Sequence, residues 1–210
     1  MLIMHPQYYF ALAALFVCVA GLSYRVVRLI RMGTPHDYSR PLGNPGDGIR
    51  YSFLGAMNPA HKESAYLHLP TYAAGLIFHL GTFLSFALLP FFFFEFQLSG
   101  LVSKTIIVIL AVSGSCGIGI FVKRIALKKL RSLSNPDDYV SNLLVTLFQS
   151  CTIVVVANES FAPIYFVFAG LLLLYLPLGK LRHFLYFFVA RYQLGFHYGW
   201  RGVWPGGIKR

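Results

Sequence analysis

Apolar residues fall in five long runs, at about 8–30, 64–94, 101–125, 139–157 and 163–196, separated by polar or Gly- and Pro-rich connections. A helix needs about 20 apolar residues to cross a hydrocarbon core, so the pattern predicts an all-α integral membrane bundle of five transmembrane helices. The 210 residues hold those spans and little else, which predicts one membrane domain over 1–210 and places any catalytic domain on another chain. The long connection, 31–63, is dominated by Gly, Pro, Asp and Arg, as in the run PLGNPGDGIR. It is expected to be a loop with little regular structure, serving as a docking surface or as a solvated connector. Within the spans, SGSCGIG in the third reads as a helix-packing stretch. The segment SLSNPDDY reads as the start of the fourth, where Asp137 and Asp138 favour a helix N-terminus. The fourth span carries no charged residue and reads as scaffold, and Pro177 predicts a kink in the fifth.

Composition agrees with the pattern: 57% of residues are hydrophobic and only 12% charged, and the mean hydropathy is +0.63. The net charge of +11 would suggest a nucleic-acid surface if it were clustered on a soluble domain. It alternates with the spans instead. Arg25, Arg28, Arg31, Arg40, Arg50 and Lys62 lie between spans one and two. Lys123, Arg124, Lys128, Lys129 and Arg131 lie between spans three and four, and six more basic residues run from Lys180 to Arg210. The two remaining connections hold only Lys104, with Glu95 and Glu159 nearby. The positive-inside rule then puts the N-terminus outside and the C-terminus in the cytoplasm of a multi-pass protein of the cell (inner) membrane, surrounded by lipid and with no role for nucleic acid. The first run lacks the basic flank and cleavage site of a signal peptide and is expected to remain as a helix. Cys18, Cys116 and Cys151 lie in separate apolar runs without CxxC or CxxCH spacing, and read as packing residues rather than ligands of a cluster or of a c-type haem.

Histidines supply the candidate chemistry. His183 and His197 are 14 residues apart, within about 40° of four whole helical turns and about 21 Å apart along the axis. His68 and His79 are 11 apart, within about 20° of three turns and about 16 Å apart. Two helices, each with two in-line imidazoles, suit a clamp for two b-type haems, because the iron takes one axial nitrogen from each face of the macrocycle. Spans two and five run in opposite directions, so the expected pairs are His79 with His183 and His68 with His197. Gly75 and Gly81 flank His79 and permit close approach of a macrocycle or a helix. Lys180 and Arg182 are candidate partners of haem propionates, whereas Arg191 and Arg201 read as interface anchors. His5, His36 and His61 lie outside the spans and read as surface residues.

At PLGKLRH, ending in His183, and RYQLGFH, ending in His197, the chain resembles the membrane cytochrome b (gamma) subunits of the respiratory nitrate reductase family. It is more similar still to the related subunits of sulfite-reductase-associated and heterodisulfide-reductase-type electron-transfer complexes. The resemblance covers nearly the whole chain, although both histidine spacings depart from the nitrate reductase pattern. It implies that His79 and His183 bind an outer haem b and that His68 and His197 bind an inner one. It also implies that Lys104 lies beside a quinone site, and that electrons pass between the quinone pool and an iron–sulfur subunit docked on the cytoplasmic side. The chain would then be an electron-transfer subunit of a quinol/quinone oxidoreductase complex rather than a complete enzyme. The rival expectation is a cofactor-free scaffold or transporter subunit whose histidines form interhelical hydrogen bonds or relay protons.

Overall fold

A computed structural model describes residues 5–33, 37–59 and 67–206. It is helical, with no strand among the described residues: α1 (Pro6–Met32), α2 (Pro45–Phe53), α3 (Leu69–Phe93), α4 (Gly100–Ala126), α5 (Lys128–Ser132), α6 (Pro136–Ala157), α7 (Ala162–Tyr175) and α8 (His183–Trp200). Four of these, α1, α3, α4 and α6, are individually long and apolar enough to cross a membrane. Only 17–39% of each apolar window is buried inside the protein, so most of that apolar surface requires a lipid or partner environment. The segments Glu159–Tyr175 and Lys180–Trp200 count as a fifth crossing if taken together as one broken span.

Two elements differ from the sequence expectation. The fifth span is interrupted rather than kinked: Pro177 has no N–H to donate and its ring crowds the preceding turn, so the helix ends at Tyr175. The N–H groups of Leu178 and Gly179 both turn back onto the Tyr175 carbonyl, at 3.0 and 2.7 Å, and the chain re-enters helix through a 3-10 turn at Lys180–Arg182. The 31–63 connection contains α2, because its Asn, Pro and Asp form a helix start. The Asn44 side chain accepts from the Gly46 N–H at 2.8 Å, Pro45 occupies the first turn, where no donor is needed, and Asp47 sits at the positive end of the helix dipole. The second span begins at Leu69 among the described residues; positions 64–66, where its start was expected, lie outside them.

The chain divides into two compact units. The first combines Met1–Gly21 with Pro70–Leu181. Its α6 begins in a capping box in which Asn135 and Asp138 satisfy each other's backbone N–H groups, with Pro136 in the first turn. Packing of α6 against α4 and α7 buries Leu110, Phe148, Tyr165, Phe166 and Leu172 almost completely. The aromatic rings interlock, with Tyr165 centred 4.9 Å from Phe92 and 5.7 Å from Phe148, and Tyr8 5.4 Å from Phe166. Ser113, Gly114 and Gly117 of the SGSCGIG stretch are buried, as helix packing requires.

The second unit combines Leu22–Leu69 with Arg182–Arg210. Here α2 lies directly on α8. A Cβ on Gly48 would stand 2.5 Å from Gly199 Cα, and one on Gly195 the same distance from Ile49 Cα, so only glycine lets these backbones meet. The approach is fastened by Leu42 N–H donating to the Trp200 carbonyl at 2.9 Å and by the Trp200 indole N–H donating to the Ser39 carbonyl at 2.9 Å.

Candidate functional site

Of the four sequence-predicted ligands, His79 has the surroundings best suited to ligation. It lies near the middle of α3 on an exposed face, among the exposed apolar side chains of Leu76, Leu80 and Phe83. Its Nδ1 is 2.7 Å from the Gly75 carbonyl one turn back, a contact that requires Nδ1 to carry the proton and puts the imidazole lone pair on Nε2. Metal-bound histidines use that arrangement, in which one ring nitrogen donates to a carbonyl and the other carries the donor electron pair. Beside it, a Cβ on Gly75 would touch nothing within 4 Å. The Phe78 and Phe83 rings flank the imidazole at 6.5 and 6.4 Å between centroids.

The opposite side of the same turns is tied down by hydrogen bonds from two neighbouring helices. Ser113 of α4 donates to the carbonyls of Ile77 and Phe78 at 3.1 and 3.3 Å. Gln149 of α6 donates to the Phe78 carbonyl at 3.2 Å and to Thr82 Oγ1 at 2.9 Å. Ser113 and Gln149 are fully buried. The backbone that aims His79 is therefore held by polar side chains, which in an apolar medium have few competing partners. The reading of α6 as scaffold missed Gln149. Its position as an uncharged polar side chain inside an apolar span was the available signal.

The other histidines differ. His183 and His197 share α8, as the 14-residue spacing predicts, with His183 its first residue and both exposed. His68 lies in a turn just before α3, exposed and off the helix, so α3 carries one histidine among the described residues rather than an in-line pair. The imidazole of His197 sits in an ion-pair cluster. Asp37 approaches its Nδ1 at 3.9 Å, the Arg201 guanidinium packs against the ring, and Arg201 pairs with Asp37 at 3.1 Å. The Ser39 backbone N–H, 2.9 Å from Asp37, holds that carboxyl below its usual range, helped by the charge of Arg201. Asp37 lies 164 positions from Arg201 in sequence, beyond the reach of any periodicity argument.

Lys180 has a protein partner. It pairs with Asp138, a carboxylate whose side chain is only 5% exposed and which Arg124 also approaches at 3.5 Å. A buried carboxylate demands such cations, so Lys180 balances the start of α6. Arg182 is half-buried immediately before α8, Lys104 is exposed one turn into α4, and His5 is exposed. His36 and His61 lie outside the described residues. No group of three or more His, Cys, Asp or Glu side chains gathers as a metal cluster among the described residues, and a bis-imidazole haem site needs only two ligands. The donor chemistry of His79 fits an axial haem ligand. No family model, curated protein or solved structure matches the chain.

Proposed function

We propose that this chain is a b-type haem-carrying membrane subunit that passes electrons between the quinone pool and an iron–sulfur partner subunit on the cytoplasmic side of the cell (inner) membrane. The observation that carries the reading is His79: an imidazole near the middle of a membrane-length apolar helix, on an exposed face, whose Nδ1 donates to the Gly75 carbonyl one turn back. An intramembrane imidazole is costly unless it has a function. The resemblance at PLGKLRH and RYQLGFH supplies the quinone, the partner and the orientation, with the N-terminus outside. In this reading His79 and His183 would hold the outer haem, and His68 and His197 the inner one.

When bound, haem supplies one-electron redox chemistry whose potential depends on ligand identity, burial and hydrogen bonding. This chain's residues do the rest. Gly75 accepts from His79 Nδ1, Ser113 and Gln149 hold the turn behind it, and the Phe78 and Phe83 rings lie at its flanks. Lys104 is proposed to lie beside the quinone. At His197 a specific observation favours a cofactor-free structural role, because Asp37 and Arg201 are already its partners.

The test is a reduced-minus-oxidised spectrum of the chain purified from haem-replete cells. A low-spin b-type signal is expected, and its absence would favour the cofactor-free scaffold. In the assembled complex, Lys104→Ala is expected to slow quinol-dependent haem reduction. Unchanged kinetics would remove that residue from the quinone site.

A further inference from the structure

The last turns of α1 carry three arginines with different surroundings. Arg25 points into its own unit and donates to the Tyr186 hydroxyl of α8 at 3.3 Å. Arg28 and Arg31 are exposed, and with Tyr24, Val27 and Met32 they line a groove of about 420 Å³. These five positions fall on one face. Tyr24, Arg28 and Arg31 are related by steps of four and three residues, and Val27 and Arg31 by four, so the two guanidinium groups stand about one turn apart with a phenol at the mid-helix end. The remaining lining is apolar, and Val27 and Met32 are 44% and 70% exposed. The groove is at the end of a membrane-length apolar helix, where hydrocarbon gives way to head groups.

We propose that this groove binds the head group of an anionic phospholipid, with its phosphate between Arg28 and Arg31. Guanidinium groups hold phosphate oxygens through paired charge-assisted hydrogen bonds, and the Tyr24 hydroxyl adds a donor at the boundary with the acyl chains. Charge complementarity selects an anionic over a zwitterionic lipid. The apolar lining and the position at a helix end select a lipid over a free anion, because a soluble phosphate gains nothing from Val27 or Met32. Positive-inside anchoring also favours anionic lipid, but it spreads that preference over all the exposed basic residues, whereas a built groove concentrates it on Arg28 and Arg31.

Native mass spectrometry of the purified chain, released from micelles containing equal amounts of phosphatidylglycerol and phosphatidylcholine, tests this directly. The wild-type chain is expected to retain one phosphatidylglycerol in preference to phosphatidylcholine. Arg28→Gln/Arg31→Gln is expected to lower that retention roughly thirtyfold, the loss of two basic contacts at a membrane surface. Lys128→Gln/Lys129→Gln, which removes the same charge elsewhere, is expected to retain the lipid. Equal retention of the two lipids by the wild-type chain would overturn the proposal without reference to any variant. Undiminished retention in the arginine pair would overturn it as well. Displacement of the bound lipid by inorganic phosphate alone would identify a free-anion site and reject the lipid.

Discussion

His79 and His197 look alike in the sequence, each an imidazole in an apolar, aromatic helical stretch, yet their surroundings differ in kind. On α3 the ring hydrogen-bonds within its own helix, and the neighbouring helices grip the backbone behind it. On α8 the ring is held by residues outside the helix core, Asp37 from the connection between α1 and α2 and Arg201 from the turn beyond the helix end. The first arrangement leaves the imidazole suited to donate an electron pair. The second makes it a member of a charge network that fastens a polar segment to a helix. Helical spacing reports which side a histidine leaves from, and its hydrogen-bond partners decide what it can do there.

The units around these residues are also held together differently, and the sharpest way to break the contrast is to attack the closest contact in each. Gly48→Val drives a side chain into the Gly199 backbone, which has no rotamer to yield, so a loss of roughly 3 kcal/mol is expected from overpacking. Thermal unfolding of the detergent-solubilised chain measures it, with Gly119→Val as the control because a Cβ there meets nothing within 4 Å. Equal destabilisation by both would mean that the approach of α2 to α8 is not what the substitution disrupts. In the other unit Gln149→Leu removes two interhelical hydrogen bonds while nearly preserving shape. About 1 kcal/mol is expected, since such bonds in membranes contribute modestly. A loss as large as that for Gly48→Val would show the two units to be held in the same way.

The smallest effect concerns acidity. Asp37 has a depressed folded-state pKa, so its contribution is complete above the unfolded carboxylate value of about 4 and disappears as pH falls through the lower folded value. Fluorescence of Trp200, whose indole N–H donates to the Ser39 carbonyl, is expected to stay constant from neutral pH down to about 4 and to change below it. Asp37→Asn is expected to show the altered emission already at neutral pH, and identical titrations in the two proteins would remove Asp37 from the fastening.

Much of the fold was legible in the apolar runs, because lipid imposes a length and a composition that few other environments demand. Asp137 and Asp138 likewise announced the start of α6, although the Asn135 cap was not singled out. The missed elements share one cause, a residue type given its commonest meaning. Pro45 and the glycines around it read as breakers, although Asn before Pro with Asp two residues on is a helix start, and Gly195 and Gly199 have the four-residue spacing that brings backbones together. Pro177 was read as a kink because apolar residues continue on either side of it, whereas the Leu178 and Gly179 N–H groups fold back onto the Tyr175 carbonyl, with the Tyr175 ring where a Cβ on Gly179 would stand. At the candidate site the sequence identified His79. It could not supply the Gly75 hydrogen bond, which depends on the His79 rotamer, or the grip of Ser113 and Gln149, which depends on tertiary placement.

Haem per chain, measured as the pyridine haemochrome, is the most direct test of His79 as a haem ligand. His79→Ala is expected to lose at least one haem relative to the wild-type chain, while His5→Ala, at an exposed residue before α1, keeps the full complement. Wild-type haem content in His79→Ala would contradict the central claim.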